Sequence, residues 1–99
     1  MKDIIIVGTG KAGFIHYYSY QKFDEIGRIY FVDIDGKIKN ENIKNTKVYS
    51  SIEESIAKEK LNVKNIIVDI CTPKSVFLDI IKECKRLNIK DVLVEKPFI

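Results

Sequence analysis

An apolar run that breaks into closely spaced glycines constrains this chain more than any other feature. Residues 4–7 read Ile-Ile-Ile-Val, and Gly8, Gly10 and Gly13 follow with G-x-G-x-x-G spacing. This pattern is typical of a buried strand that leads through a turn too tight for side chains into a helix. The free N–H groups of that helix face a phosphate. Asp33 supplies the carboxylate that such a site uses about 20 residues further on. The stretch therefore predicts a dinucleotide site.

Length and composition set the class of protein. With 99 residues the chain is one domain at most, and 45% hydrophobic with 31% charged residues is ordinary for a globular protein. No apolar run approaches the roughly 18 residues that span a bilayer, and the first apolar segment is too short for a signal peptide. We therefore expect no membrane partner and a cytoplasmic location.

Charge and cysteine content exclude two further classes. The net charge of +3 is small and the lysines are scattered among acids, so we expect no nucleic-acid partner. Cys71 and Cys84 have neither the density of a disulfide scaffold nor the C-x-x-C spacing of a metal or redox site. We expect both thiols to be reduced and no metal site.

Strand-like and helix-like segments alternate along the chain. Strands are predicted at residues 3–7, 29–32, 47–49, 65–71 and 91–94, and helices at 12–23, 52–60 and 73–87. Ser51 and Glu54 match a capping box before the second helix, and Thr72 with Pro73 resembles the cap and first residue of the third. The polar residues 37–47 are predicted to form a loop with at most one helical turn.

This alternation predicts an α/β fold of the Rossmann type, a doubly wound parallel sheet with strand order 3-2-1-4-5. Ligands of such sheets lie beyond the carboxyl ends of the strands, at the switch point between strands one and four. The polar or glycine-rich groups that follow strands one, two, four and five all fall on that edge. The predicted cofactor-binding residues are Gly8, Thr9, Gly10, Lys11, Ala12, Gly13, Asp33, Cys71, Thr72, Pro73, Glu95 and Lys96.

Asp33 decides which dinucleotide is expected. A carboxylate at this position accepts hydrogen bonds from both ribose hydroxyls, and it would repel the 2′-phosphate of NADP. NAD is therefore the predicted cofactor, although Lys37 and Lys39 would offset the repulsion if they folded inward. The alternative is that Asp33 and Asp35 form a polar turn without contacting a ligand.

Three segments resemble the N-terminal domain of the glucose-fructose oxidoreductase and inositol dehydrogenase family, also called Gfo/Idh/MocA. They are residues 8–16, 68–73 and 94–97, and the last contains Glu95-Lys96-Pro97 directly after strand five. The resemblance implies that Lys96 is a catalytic residue near the nicotinamide, where it would stabilise a developing alkoxide. It also implies that Glu95 helps to place the cofactor and Lys96. The alternative for Lys96 is a solvated lysine.

Several residues near these segments are better explained by packing. His16 recurs at this position in the family, but a histidine one turn beyond Gly13 is most simply a packed helix residue. Cys71 lies near a helix N-terminus, which can lower a thiol pKa, yet a small buried filler is the simpler interpretation. Cys84 is predicted to be core. The tyrosines at 17, 18 and 20 are predicted to pack and not to form an adenine platform.

The resemblance implies the NAD-binding domain of an oxidoreductase that transfers hydride to or from a sugar, cyclitol or nucleotide-sugar alcohol. The chain ends before the sixth strand and the substrate domain of that family, so residues 1–99 are expected to be one domain of a longer protein with little turnover alone. The alternatives are a naturally short NAD-binding or sensing module, and an interaction domain on a decayed scaffold. Exposed edges predict a homodimer.

Overall fold

A computed structural model of the protein describes residues 1–36, 38, 40–41 and 46–94. Its strands form one five-stranded sheet in the order β3-β2-β1-β4-β5, with every neighbouring pair parallel. The strands are β1 (Lys2–Val7), β2 (Ile26–Val32), β3 (Val48–Tyr49), β4 (Ile66–Ile70) and β5 (Asp91–Val94). The helices are α1 (Lys11–Tyr20), α2 (Ile52–Glu59) and α3 (Phe77–Arg86). The predicted α/β class and the predicted strand order are both confirmed.

The central strand β1 is buried on both faces, as its unalternated apolar sequence predicts. Ile4, Ile5 and Ile6 are fully buried, because helices cover the sheet on either side. Ile4 and Ile6 pack with the α1 side chains Phe14, Tyr17 and Tyr20. On the opposite face, Ile5 and Val7 share a core with residues of α2 and α3. The glycine loop, residues 8–13, therefore directly follows the central strand of a sheet that helices cover on both faces.

Helix α1 packs on the sheet through Gly13 and Tyr17. Gly13 is buried, and the ring of Tyr17 lies 5.3 Å from that of Phe31 in β2, whereas Tyr18 is exposed. The helix ends at Tyr20 and not at residue 23, because Lys22 and Phe23 close tighter turns: Lys22 N–H donates to Ser19 O, and Phe23 N–H donates to the Tyr20 carbonyl. The packing role predicted for Tyr17 is thus confirmed, whereas the one predicted for Tyr18 is wrong because its side chain is exposed.

The helices that cover the other face differ at their starts. In α2, Ser51 Oγ accepts a hydrogen bond from Glu54 N–H at 3.0 Å, which confirms the predicted cap. The predicted start of α3 at Pro73 is wrong. Pro73 is extended, with ψ of 151°, and a 3-10 turn at Lys74–Val76 intervenes before the α-helix begins at Phe77. Thr72 and Pro73 therefore belong to the loop at the sheet edge and not to α3.

Some predicted features lie outside the residues that the structure describes. Lys37, Lys39, most of the predicted 37–47 loop, and the segment from Glu95 through Lys96 to Ile99 lie outside them.

Strand β2 begins at Ile26, three residues before its predicted start, so Gly27 lies within the strand. Within the described part of the chain, no helix is long and apolar enough to cross a membrane. The homodimer stays a prediction.

Candidate functional site

A cavity of about 420 Å³ opens at the carboxyl edge of the sheet, where β1 and β4 lie side by side. Residues that follow three different strands line it: Val7, Gly8, Thr9, Gly10, Asp33, Ile34, Asp35, Cys71, Thr72, Pro73 and Val76. Ligand pockets typically measure about 300 to 1,000 Å³, and the switch point of a parallel sheet is where they occur. This cavity is therefore the candidate ligand site.

The structure brings most of the predicted site residues together. Seven of them line the cavity: Gly8, Thr9, Gly10, Asp33, Cys71, Thr72 and Pro73. Lys11, Ala12 and Gly13 form the first turn of α1 beside it, whereas Glu95 and Lys96 lie outside the described residues. A larger cavity of about 670 Å³ lies at the other edge of the sheet, near the amino ends of β4 and β5, far from the glycine loop.

Two of the three motif glycines are fixed by close backbone packing. Gly8 has φ of +117°, and a Cβ there would lie 2.8 Å from the Cys71 carbonyl oxygen. A Cβ on Gly13 would lie 2.2 Å from the Gly8 carbonyl oxygen. Real Cβ atoms do not approach backbone so closely, so glycine is required at both positions for the chain to pass from β1 into α1.

Gly10 has a different role, because nothing lies within 4 Å of the position its Cβ would occupy. It is the N-cap of α1, makes no side-chain cap, and precedes a first turn without acidic residues. The first N–H groups of a helix lack intrahelical partners and carry partial positive charge. The open space at Gly10 therefore leaves this helix end accessible to an anion.

Asp33 is tied to the glycine loop. Its Oδ2 accepts hydrogen bonds from the Thr9 hydroxyl at 2.8 Å and from the Thr9 N–H at 3.3 Å. Its Oδ1 accepts from the Asp35 N–H at 3.2 Å. Thr9 is fully buried and Asp33 is 5% exposed. The carboxylate therefore holds the loop against the end of β2, and the predicted polar turn of Asp33 and Asp35 is part of the same arrangement.

Thr72 contributes an unsatisfied polar atom. Among the described residues, its Oγ1 is the buried side-chain oxygen that has no hydrogen-bond partner, and the residue lines the cavity. A buried hydroxyl without a partner costs about 1 to 3 kcal/mol. A ligand group that exchanged a hydrogen bond with Thr72 would remove that cost, so this oxygen is a second polar contact point besides the helix end.

Replacing Thr72 by valine is expected to separate ligand binding from folding. The isosteric methyl removes the unsatisfied oxygen, so the free energy of unfolding should stay the same or rise by about 1 kcal/mol, while ligand affinity falls roughly fivefold. Urea denaturation and calorimetric titration measure the two quantities. A loss of stability in Thr72→Val would show that the hydroxyl is hydrogen-bonded in the folded chain, contrary to its assignment as a ligand contact.

One polar cluster was missed by the sequence analysis. Asp69 in β4 is 1% exposed, and its Oδ2 lies 2.6 Å from His16 Nδ1 and 2.5 Å from the Tyr20 hydroxyl. Cys71 Sγ lies 3.3 Å from the same histidine nitrogen. A carboxylate inside the otherwise apolar strand Ile66–Ile70 was the available signal, because a buried charge needs polar partners. His16 and Tyr20 therefore pack through polar contacts.

The fold and the site together define the class of protein. A parallel sheet of this order, with a glycine loop leading into a helix at its switch point, is a Rossmann-like domain for a nucleotide-type cofactor. Comparison with protein families matches residues 2–96 to a family described as a CoA binding domain. The chain belongs to that family. Searches of curated proteins and of solved structures find no match to it.

This family match corrects two predictions. The resemblance to the glucose-fructose oxidoreductase and inositol dehydrogenase family is wrong, and so is NAD as the cofactor. The physical reason is that NAD and coenzyme A share an adenosine diphosphate half, and a glycine loop at a helix N-terminus recognises the pyrophosphate that both contain. The motif alone does not distinguish the two cofactors, and the hydride-transfer role inferred for Lys96 loses its basis with the resemblance.

Proposed function

We propose that this domain binds coenzyme A, free or as a thioester, through the nucleotide half of the ligand in the cavity at the carboxyl edge of the sheet. The observation that carries the proposal is the glycine loop Gly8 to Gly13 at the N-terminus of α1, in a chain matched to the CoA binding family over residues 2–96. The proposed role is that of a cofactor-binding module.

The pyrophosphate is assigned to the start of α1. The helix end is uncapped by side chains, and Gly10 leaves room for phosphate oxygens to approach the backbone. Lys11, the first residue of the helix, is exposed and supplies a positive charge beside the same position. Both features favour a phosphate group over a neutral ligand, because the helix dipole and the ammonium group attract negative charge.

The ribose is assigned to the side of the cavity that Asp33 and Thr72 form. The two side chains differ in what they offer: Thr72 Oγ1 is an unsatisfied hydroxyl, whereas the Asp33 carboxylate already accepts two hydrogen bonds from Thr9 in the glycine loop. Coenzyme A carries a 3′-phosphate on its ribose, and the Asp33 carboxylate repels that phosphate wherever the two lie close together. The proposal therefore includes a measurable preference between coenzyme A and its 3′-dephospho form.

Calorimetric titration of the purified chain with coenzyme A tests the proposal. We expect one molecule bound per chain, and Gly10→Ala should weaken affinity about tenfold because the new Cβ meets the phosphate and not the protein. Lys11→Ala should weaken it less, and Lys58→Ala, an exposed lysine in α2, is the matched control that should leave it unchanged. Binding of NAD more tightly than coenzyme A, or equal affinity in Gly10→Ala, would contradict the proposal.

The preference at the ribose is tested with the same titration. Asp33→Asn keeps the shape and one of the two acceptor oxygens and removes the charge, so it should raise the affinity ratio of coenzyme A to 3′-dephospho-coenzyme A, two ligands compared on the same variant. A charge near a phosphate changes binding by about 1 kcal/mol at 4 Å in water and more in a partly buried site. If the ratio does not change, the 3′-phosphate lies away from Asp33, while binding to the glycine loop stands on the Gly10→Ala result.

A further inference from the structure

A second site lies beneath α1, on the α1 face of the sheet. Three side chains of different chemistry converge there: His16 from α1, Asp69 from β4, and Cys71 directly after β4. Their potential ligand atoms, Nδ1, a carboxylate oxygen and Sγ, all lie within 4.8 Å of one another. Cys71 also lines the cofactor cavity, so the two sites are adjacent.

The cluster is built around a buried charge. Asp69 is 1% exposed, and its register partner in β1 is the fully buried Ile6. An ionised carboxylate in such surroundings is costly unless it is paired. Its partners are the His16 ring, with a side chain 27% exposed, and the Tyr20 hydroxyl. The site is therefore dry on the strand side and reachable from solvent through the histidine.

Polar contacts at His16 Nδ1 hold the three side chains together. That nitrogen carries either one hydrogen or one lone pair, yet two groups approach it: Asp69 Oδ2 at 2.6 Å and Cys71 Sγ at 3.3 Å. Cys71 Sγ also lies 3.6 Å from Asp69 Oδ1, so hydrogen bonds join the three side chains in pairs. A metal ion at the centre of the three atoms would accept a lone pair from each of them at once.

The donor set selects the metal. Imidazole, carboxylate and thiolate together suit Zn²⁺, whereas Mg²⁺ and Ca²⁺ prefer oxygen ligands alone. Zn–N and Zn–S bonds of about 2.0 and 2.3 Å place tetrahedral ligand atoms about 3.5 Å apart. The Sγ to Nδ1 distance of 3.3 Å is close to that value. The distance from Oδ2 to Nδ1 would lengthen when the proton between them is replaced.

We propose that His16, Asp69 and Cys71 form a Zn²⁺ site, with a water molecule or an external ligand in the fourth position. Carboxylate and thiolate together neutralise the ion, so the loaded site buries no net charge. Tyr20 is a positioning residue, because its hydroxyl donates to the Asp69 carboxylate and holds its orientation. The site is independent of coenzyme A, and it is titrated in the absence of that cofactor.

Titration of the metal-free protein with Co²⁺, followed by displacement with Zn²⁺, tests the site. A thiolate ligand gives cobalt a near-ultraviolet charge-transfer band, so we expect that band with one Co²⁺ per chain and its loss on adding Zn²⁺. Cys71→Ser should abolish the band. Cys84→Ser is the matched control and should leave it unchanged, because Cys84 is 1% exposed and burial raises the pKa of its thiol to about 11.

Further variants keep the test decisive if Cys71→Ser is poorly folded. His16→Asn changes a partly exposed side chain and should greatly weaken Co²⁺ binding, while Tyr20→Phe should weaken it about tenfold without removing the charge-transfer band. Zn²⁺ should also raise the thermal midpoint of the wild-type chain, because it binds the folded state. A wild-type chain without the band, or a band that survives in both Cys71→Ser and His16→Asn, would overturn the proposal.

Discussion

Gly13→Ala is expected to lower the free energy of unfolding by about 2 kcal/mol or more, although alanine is the better helix former. The gain in helix propensity is about 1 kcal/mol. A steric clash opposes this gain, because the new Cβ would lie 2.2 Å from the Gly8 carbonyl oxygen and 3.5 Å from Ile6 Cγ2. Overpacking of this kind costs about 3 kcal/mol, because the contact is with backbone and α1 must move away from β1 to relieve it. Urea denaturation followed by circular dichroism measures the difference.

The control is the same substitution three residues earlier. At Gly10 the Cβ meets nothing within 4 Å, and φ is −84°, which any residue adopts. Gly10→Ala should therefore retain the wild-type stability within about 0.5 kcal/mol, as surface changes usually do, while it loses affinity for coenzyme A. Equal stability of Gly13→Ala and Gly10→Ala would show that α1 can shift away from β1 at little cost, and that the close approach is not a requirement of the fold.

The sheet was predictable because its signals are local and redundant. Strand β1 contains an unbroken apolar run at residues 4–7, and strand β4 is apolar except for Asp69, a pattern typical of strands covered on both faces. The strand order and the position of the ligand-binding edge then follow from right-handed crossover connections. The boundaries were less predictable. Pro73 resembled a first helical residue, yet its extended conformation continues the loop, and the helix begins four residues later at Phe77.

The polar contacts of the site were beyond the reach of sequence patterns because they join distant positions. Thr9 and Asp33 are 24 residues apart, and His16 and Asp69 are 53 apart. The sequence singled out each residue by itself: Asp33 was expected to contact the cofactor, and His16 was expected to be a packed helix residue. Only the fold shows that the Asp33 carboxylate is already bound to the glycine loop, and that His16 packs through a buried acid.

The identity of the cofactor was not predictable for a chemical reason. In dinucleotide-binding folds a glycine loop, a helix end and an acid after the second strand contact the adenosine diphosphate half of the ligand, which coenzyme A also contains. The groups that distinguish coenzyme A from a dinucleotide, the 3′-phosphate and the pantetheine arm, are recognised by residues without a fixed spacing. The match over residues 2–96 to a family described as a CoA binding domain points to coenzyme A, and it overrules the short segment around Lys96 on which the resemblance depended.

Asp33→Ala is expected to destabilise the domain by about 3 kcal/mol, more than it would if Asp33 only contacted a ligand. The substitution leaves the fully buried Thr9 hydroxyl and the N–H groups of Thr9 and Asp35 without their acceptor. Each unsatisfied buried group costs about 1 to 3 kcal/mol, and water entering the cavity will satisfy part of the loss. Thermal or urea unfolding measures the effect in the absence of any ligand, which separates the structural role from cofactor binding.

A double-mutant cycle with Thr9→Val identifies the source of that loss. If the 2.8 Å bond between the Thr9 hydroxyl and Asp33 Oδ2 stabilises the loop, the two substitutions will be less than additive by about 1 to 2 kcal/mol, because a charge-assisted bond is lost only once. Asp24→Ala, at an exposed turn after α1, is the matched control and should change stability by less than about 0.5 kcal/mol. Strict additivity would show that the Thr9 hydroxyl and Asp33 act separately, and the bond from the Thr9 N–H to Asp33 Oδ2 would then account for the anchoring of the loop.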